Sequence, residues 1–165
     1  MFLNVIETIQ TSLYLYNLKQ AKISTEVLKN KTDKYIFISS VAAYQSSNIW
    51  PKSETHMLGG MDVFGNYGVD KTLIEKYFCE TDNFPYINLR PTYIIGKDNH
   101  NYREKYYFDS IINNQHIELG PESNKIVSFV FADDVSNIIC RFVTEKCELR
   151  QSYNVNGDEH ITIQT

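Results

Sequence analysis

The first half of the chain alternates short apolar runs with stretches of helical periodicity. Apolar runs at residues 2–9 and 35–39 predict strands, and residues 17–30 predict a helix between them. One face of that helix carries apolar and small side chains at three- or four-residue spacing, namely Leu18, Ala21, Thr25 and Leu28. A strand, a helix and a strand in this order form the parallel crossover unit. A helix over 66–82 and a strand over 85–90 continue the alternation, so we expect an α/β fold.

The second half of the chain is less regular. Residues 97–103 are polar, and a following apolar stripe predicts a helix that ends near Asn114. The stripe consists of Phe108, Ile111 and Ile112. Short strands are predicted at four apolar runs, which are 117–119, 126–131, 153–155 and 161–163.

A last helix is predicted by an apolar stripe with helical spacing. Its members are Val135, Ile138, Ile139, Phe142 and Val143. Asp134 directly precedes the stripe, and aspartate is a favoured N-cap. We therefore expect Asp134 to cap this helix, and we interpret Asp133 and Asp134 as structural residues rather than a catalytic carboxylate pair.

One predicted connection, residues 45–65, is long for a loop, which favours a functional role. Asn48, Trp50 and His56 lie in it and are interpreted as ordinary surface-loop residues.

Candidate chemistry lies on both sides of this loop. Tyr67 precedes Lys71 by four positions in the predicted helix, so the two side chains share a face. A free phenol titrates near pH ~10, and a cation within ~4–6 Å lowers that pKa. The pair therefore predicts a tuned proton donor and acceptor. Ser39 and Ser40 end the preceding strand, where ligands of open α/β sheets bind. A serine hydroxyl there could hold a substrate oxygen in line with the phenol.

Five segments together resemble the extended short-chain dehydrogenase/reductase superfamily, in its NAD-dependent epimerase/dehydratase branch. They occur in the family's order and cover nearly the whole chain from about residue 3: 36–44, 67–71, 89–96, 129–135 and 153–155. The resemblance implies a partial Rossmann-like, doubly wound parallel sheet with a small C-terminal substrate-binding α/β portion. Residues 1–96 would form the second half of an NAD(P)-binding domain, and residues 97–165 a partial substrate-binding portion interleaved with it.

The resemblance also implies roles for single residues. Tyr67 would be the general acid/base, Lys71 would bind the nicotinamide ribose and lower the Tyr67 pKa, and Ser40 would hydrogen-bond the reacting oxygen. Ser39 is the alternative to Ser40 for that contact and would otherwise lie beside the cofactor. Two further residues, Pro91 and Tyr93, would lie beside the nicotinamide and the substrate. Arg103 could meet a phosphate or carboxylate of the substrate, although a solvated surface arginine is the slightly favoured interpretation.

The glycine fingerprint of the family, Gly-x-x-Gly-x-x-Gly, is absent from the 165 residues. That loop cradles the pyrophosphate at a helix N-terminus. By resemblance we therefore expect the chain to be a middle piece, without the first half of the dinucleotide fold and the tail. NAD or NADP remains the expected cofactor, and helices 17–30 and 66–82 are the surfaces expected to form a homodimer.

Composition and charge narrow the class of protein. The apolar and charged shares of 42% and 22% are those of a globular protein, and the net charge of −4 argues against a nucleic-acid surface. The three cysteines form no CxxC and predict reduced thiols in a cytoplasmic protein. No His pair predicts a metal site, and no apolar run approaches the ~20 residues of a membrane span.

Three hypotheses about function remain open. The first is an NAD(P)-dependent epimerase or dehydratase acting on a nucleotide sugar, inactive as this chain alone. The second is a non-catalytic NAD(P)- or RNA-binding protein of the same fold; the acidic balance opposes RNA, and the intact Ser40, Tyr67 and Lys71 oppose a dead site. The third is an inactive remnant, which the missing glycine loop supports.

Overall fold

The computed structural model of the protein is built on two sheets and four α-helices in the part of the chain that it describes. The described residues are 8–12, 15–97, 99, 103–120 and 123–162, apart from the side chains of Arg103 and His160. The elements in chain order are β1 (Ile9–Ser12), α1 (Leu18–Leu28), β2 (Lys34–Ile38), α2 (Asn66–Glu80), β3 (Tyr86–Pro91), β4 (Tyr93–Ile95), α3 (Arg103–Ile112), β5 (Ile126–Phe131), α4 (Ala132–Thr144), β6 (Gln151–Val155) and β7 (His160–Thr162).

The larger sheet has four parallel strands in the order β1-β2-β3-β6. Tyr35 of β2 lies opposite Tyr86 of β3, and Ile87 of β3 lies opposite Gln151 of β6. Every residue of β2 and β3 is buried, as expected for parallel strands covered on both faces. The parallel sheet confirms the α/β, Rossmann-like fold class.

Two apolar cores lie on opposite faces of this sheet. Alternate residues of β2 divide between them, because successive side chains of a strand point to opposite faces. Tyr35 and Phe37 pack with residues of α1 and α2, while Ile36 and Ile38 pack with residues of α4. Helices on both faces make the sheet doubly wound. The predicted apolar face of α1 is confirmed, since Ala21 is fully buried there.

The smaller sheet has the order β4-β5-β7, with β4 parallel and β7 antiparallel to β5. It includes β4, which lies before the predicted boundary at residue 96. Conversely, β6 lies after that boundary and completes the larger sheet. The two predicted portions at 1–96 and 97–165 therefore exchange strands, and their division stays a prediction.

The structure corrects one predicted strand, and two others lie partly outside the described residues. Most of the predicted strand at 2–9 lies outside the described residues, and the described strand is Ile9–Ser12. No strand forms at 117–119, because no neighbouring strand of the described chain pairs with it and Leu119 is exposed. The predicted strand at 161–163 is described as His160–Thr162, with residue 163 outside the described range.

The predicted N-cap of the last helix is wrong. β5 runs directly into α4 without a loop, so the cap position falls on Phe131, which makes no side-chain capping bond. Asp133 and Asp134 lie inside the first turn instead. Carboxylates there interact favourably with the positive end of the helix dipole, so their role remains structural.

Candidate active site

The turn after β2 places two serines at the carboxyl end of the sheet. The Ser39 N–H donates to the Leu89 carbonyl at 2.7 Å and keeps the chain in register with β3. Ser40 is extended and caps the short 3₁₀ turn Val41–Ala43, with its Oγ accepting from the Ala42 N–H at 3.1 Å. The two serines thus have different surroundings despite being adjacent.

Two glycines allow α2 to approach this turn closely. A Cβ on Gly68 would lie 2.5 Å from the Ala42 carbonyl oxygen, and one on Gly60 would lie 2.7 Å from the Val69 nitrogen. Gly60 also has a φ of +79°, which side chains rarely adopt. The Thr72 hydroxyl adds a 2.7 Å hydrogen bond to the Ala43 carbonyl. The first turns of α2 are therefore held against the residues that follow Ser40.

A cleft of about 850 Å³ opens where these elements meet. Six of the seven predicted site residues line it: Ser39, Ser40, Tyr67, Lys71, Pro91 and Tyr93. Side chains that the sequence did not single out also line it, among them Tyr16, Phe64, Thr92, Lys97 and Asn99. Thr92 follows β3, so the rule that ligands bind at the carboxyl ends of strands could have found it. The side chain of Arg103 lies outside the described residues, and its backbone begins α3.

Lys71 is a buried cation at the base of the cleft. Its side chain is 3% exposed, and its ammonium donates to the carbonyls of Ile38 at 2.9 Å and Leu15 at 3.0 Å. Burial lowers the Lys71 pKa to about 8, and the Glu75 carboxylate acts in the opposite direction. Lys71 thus titrates much closer to neutral pH than a free lysine does.

Tyr67 borders the open side of the same cleft. Its ring is 43% exposed, and the Lys71 Nζ lies 5.6 Å from the ring centroid. The phenol is therefore not enclosed in an apolar core, where it could not act as an acid or base on a ligand. The close approach of its hydroxyl to a serine hydroxyl stays a prediction.

The two serines differ in what their hydroxyl groups bind. Ser39 is 2% exposed, and its hydroxyl donates to Oε1 of Glu75 below the cleft floor. Ser40 is half-buried and uses its oxygen as an acceptor. Within the described chain no hydrogen bond uses the Ser40 hydroxyl proton, which leaves it for a ligand in the cleft.

The aromatic side chains of Tyr93 and Phe64 form part of the cleft wall. The Tyr93 ring centroid lies 6.2 Å from that of Phe64 and 6.1 Å from that of Phe129. Phe64 comes from the loop predicted at 45–65, which supports the functional interpretation of that loop.

A buried polar network under the cleft was not predicted from the sequence. Glu75 and Arg90 form an ion pair at 2.6 Å, with side chains 2% and 4% exposed. Arg90 also donates to the Tyr44 hydroxyl at 2.8 Å, and that hydroxyl donates to Asn154 Oδ1 at 2.6 Å. The one available signal was the position of Glu75, four residues after Lys71 on the same helix.

The profile of the NAD dependent epimerase/dehydratase family matches residues 5–156. The chain belongs to this family. No curated protein shows a significant match to it. Membership confirms the superfamily resemblance and accounts for the cleft at the carboxyl ends of the strands.

Solved structures of the same fold include several enzymes of this kind. The dTDP-glucose 4,6-dehydratase from Bacillus anthracis in complex with NAD has a TM-score of 0.81 and 15% identity, over 95% of this chain and 53% of the enzyme. UDP-glucuronic acid 4-epimerase from Bacillus cereus, also in complex with NAD, has a TM-score of 0.75 and 19% identity, over 90% and 49%.

A third structure is UDP-N-acetylglucosamine 4-epimerase from Methanobrevibacter ruminantium in complex with UDP-N-acetylmuramic acid. It has a TM-score of 0.74 and 20% identity, over 90% of this chain and 49% of the epimerase. The chain thus spans about half the length of the solved structures that it matches. At these identities the likeness shows the fold.

The described residues contain no group of three or more histidine, cysteine or acidic side chains placed to hold a metal ion. None of their helices is long and apolar enough to cross a membrane.

Proposed function

We propose that the cleft binds the nicotinamide side of NAD or NADP beside a nucleotide sugar and supports a transient hydride transfer, as in an epimerase or dehydratase. The observation that carries this proposal is the convergence of Ser40, Tyr67 and Lys71 in one cleft at the carboxyl ends of parallel strands. The cofactor, when bound, would accept a hydride from a substrate carbon and return it.

Tyr67 is assigned the two proton transfers of this reaction. As hydride leaves the carbon, the Tyr67 phenolate takes the proton of the substrate hydroxyl and becomes the phenol, which returns that proton when the carbonyl is reduced. Lys71 lies close enough to the ring to stabilise the phenolate. It donates two of its three N–H groups to carbonyls, which leaves one for a ribose hydroxyl.

Ser40 is assigned the contact with the reacting oxygen in preference to Ser39. Its hydroxyl proton is available in the cleft, whereas that of Ser39 is donated to Glu75. Pro91 and Tyr93 line the cleft where they can contact the nicotinamide and the sugar. Arg103 is proposed to bind a phosphate of the substrate.

The residues that line the cleft fit the nicotinamide side of the cofactor. The hydroxyl and ammonium groups of the cleft suit a ribose and a reacting oxygen, but the 165 residues contain no Gly-x-x-Gly-x-x-Gly to hold a pyrophosphate. We therefore expect this chain alone to bind NAD with a Kd in the millimolar range and to convert no UDP-glucose above background.

NMR titration tests the binding site. Addition of NAD or UDP-glucose to the ¹⁵N-labelled chain should shift amide resonances that border the cleft, including those of Ser40, Lys71 and Thr92. Tyr67→Phe should weaken binding about three- to tenfold because one hydrogen bond is lost. Tyr106→Phe, an exposed residue outside the cleft, is the matched control and should leave binding unchanged.

Two outcomes would contradict the proposal. Shifts confined to other surfaces would mean that the cleft is not the site. Binding of NAD at micromolar Kd would mean that residues of this chain supply a pyrophosphate site that we have not identified.

A homodimer through the helices predicted at 17–30 and 66–82 is part of the proposal. Ile23 and Val27 of α1 and Val69 and Leu73 of α2 are all between 41% and 53% exposed. Light scattering on the purified chain should give a dimer mass, and Leu73→Glu should shift it to a monomer. A monomer mass for the unmodified chain would contradict this assembly.

A further inference from the structure

Glu75 is an acidic side chain in the interior, surrounded by donors. The residue is 2% exposed. Its two oxygens accept from Arg90 Nη2 at 2.6 Å, from Arg90 Nε at 3.1 Å, from Asn88 Nδ2 at 3.3 Å and from the Ser39 hydroxyl. Every hydrogen bond at this carboxylate is donated to it, which is the arrangement that suits the ionised form.

The stability of the fold does not by itself explain such a pair. The desolvation of two buried charges can exceed their mutual attraction, so well-packed apolar side chains of similar volume often serve stability equally well. A buried ion pair is better understood from what its members hold in place. Glu75 contacts Ser39 and lies one helical turn beyond Lys71, and both of these residues line the cleft.

We propose that Glu75 is a positioning residue of this site, acting through Ser39 and Lys71. Its carboxylate holds the Ser39 hydroxyl below the cleft floor, and it is the negative charge that faces the Lys71 ammonium. This inference rests on the proposed function, since it assigns Ser40 and Lys71 to the ligand. It adds a residue that lies outside the cleft and touches neither substrate nor cofactor.

Among the described residues, most of the groups around the Lys71 ammonium are neutral. Ile38 and Leu15 contribute neutral carbonyls, and Phe37 of β2 contributes an apolar ring whose centroid lies 4.6 Å from the ammonium. The titratable side chains described near it are Tyr16, whose ring centroid lies 6.0 Å away, Tyr67 and Glu75. The partial relief of its depressed pKa by Glu75 agrees with this geometry.

Arg90 connects the Glu75 carboxylate to the loop that borders the cleft. Its Nη1 donates to the Glu54 carbonyl at 3.0 Å and to the Tyr44 hydroxyl. Asn154 holds the loop from the other side, because its Nδ2 donates to the Lys52 carbonyl at 2.9 Å. The carboxylate of Glu75 is thus linked through the Arg90 guanidinium to Glu54 of the loop, and through Tyr44 and Asn154 to Lys52.

The test is the titration of Lys71 by ¹³Cε NMR in the full chain. The Lys71 midpoint should lie near pH 8 in the unmodified protein. In Glu75→Gln the Lys71 midpoint should fall to about pH 7. At a fixed pH this is a tenfold increase in the ratio of neutral to charged amine. Glu75→Asp keeps the charge and should restore the midpoint to within a few tenths of a pH unit. Glu80→Gln removes an exposed carboxylate from the same helix and should leave the midpoint unchanged.

A second variant tests whether the change in the Lys71 midpoint comes from the loss of the Glu75 carboxylate or from the charge on Arg90, which is left unpaired. Glu75→Gln with Arg90→Gln removes both buried charges, and the midpoint should still fall because the carboxylate is the nearer of the two to Lys71 on its helix face. An unchanged midpoint in either folded variant would overturn the proposal. Failure of both variants to fold would assign Glu75 a structural role and would overturn it equally. The readout needs no ligand, so failure of the cleft to bind a nucleotide would leave its outcome intact.

Discussion

The larger sheet and the smaller sheet bury their side chains to very different degrees. Phe37 of β2 and Leu89 of β3 are fully buried, whereas Phe131 of β5 is 59% exposed. α3, in the same part of the chain as β5, leaves Phe108 and Ile112 62% and 75% exposed. The cleft lies between these regions, with the proposed catalytic residues on the buried one. Buried hydrogen bonds hold Lys71 and Ser39 in place, while the other region contributes the wall that carries Tyr93.

The largest expected difference between the two regions concerns their aromatic side chains. Phe78 of α2 is fully buried and packs against the rings of Tyr35, Phe37 and Phe84. Phe78→Ala should lower the free energy of unfolding by about 3–5 kcal/mol, because it leaves a cavity in the core. Urea denaturation measures this.

The matched control is Phe108→Ala in α3, where the ring is already in solvent. Its effect should stay within about 0.5 kcal/mol. Equal losses in the two variants would show that the smaller sheet and α3 share a core that the exposed fractions do not reveal.

The next largest effect is a change of the unfolding free energy with pH, which the buried Lys71 side chain causes. Its folded-state pKa of about 8 lies below the ordinary lysine value of 10.5, so between these values the unfolded chain binds more protons. Stability therefore rises with pH through this window. The unfolding free energy of the wild type minus that of Lys71→Met should increase by about 2 kcal/mol from pH 7 to pH 10.

Tyrosine titration, such as that of Tyr86, whose pKa burial raises to about 12, cancels in this difference because both proteins contain it. Lys97→Met changes an exposed lysine of the same cleft and should alter stability at pH 7 by less than about 0.5 kcal/mol. A flat difference between pH 7 and pH 10 would mean that Lys71 is solvated in solution.

A smaller effect is expected from two glycines that differ in the space around them. Gly68→Ala should destabilise the fold by about 1–2 kcal/mol, since the new methyl group would overlap the Ala42 carbonyl. Gly120→Ala meets open space and should be neutral or slightly stabilising. Thermal unfolding of both variants compares the regions directly. If Gly68→Ala were the more stable variant, the close approach of α2 to the turn after β2 would be wrong.

The smallest expected effect distinguishes a side chain that caps a helix from an acidic side chain within the first helical turn. Asn17 caps α1, with its Oδ1 accepting from the Gln20 N–H at 3.1 Å, so Asn17→Ala should cost about 1 kcal/mol. Asp134 makes no capping bond in α4, and Asp134→Asn should cost about 0.3–1 kcal/mol through the helix dipole. Salt distinguishes the two, because 1 M NaCl should remove the Asp134 effect and leave that of Asn17. A salt-resistant loss at Asp134 would indicate that this side chain caps the helix after all.

Local periodicity was sufficient for much of the fold and for most of the site. The apolar run of β2 and the apolar stripe of α1 are patterns of neighbouring residues, so they can be found in the sequence itself. Tyr67 and Lys71 needed only helical spacing to be placed on one face, and Ser39 and Ser40 needed only the end of a strand.

Tertiary structure decided the features that depend on distant partners. The insertion of β6 beside β3 and the absence of a strand at 117–119 follow from which strands are available to pair. The hydroxyl groups of Ser39 and Ser40 make different hydrogen bonds because Ser39 donates to Glu75, which is 36 residues from Ser39 in the sequence. Burial of Glu75 and Arg90 together could not be deduced locally, because the cost of removing each charge from water is offset only by a partner that the folded chain brings to it.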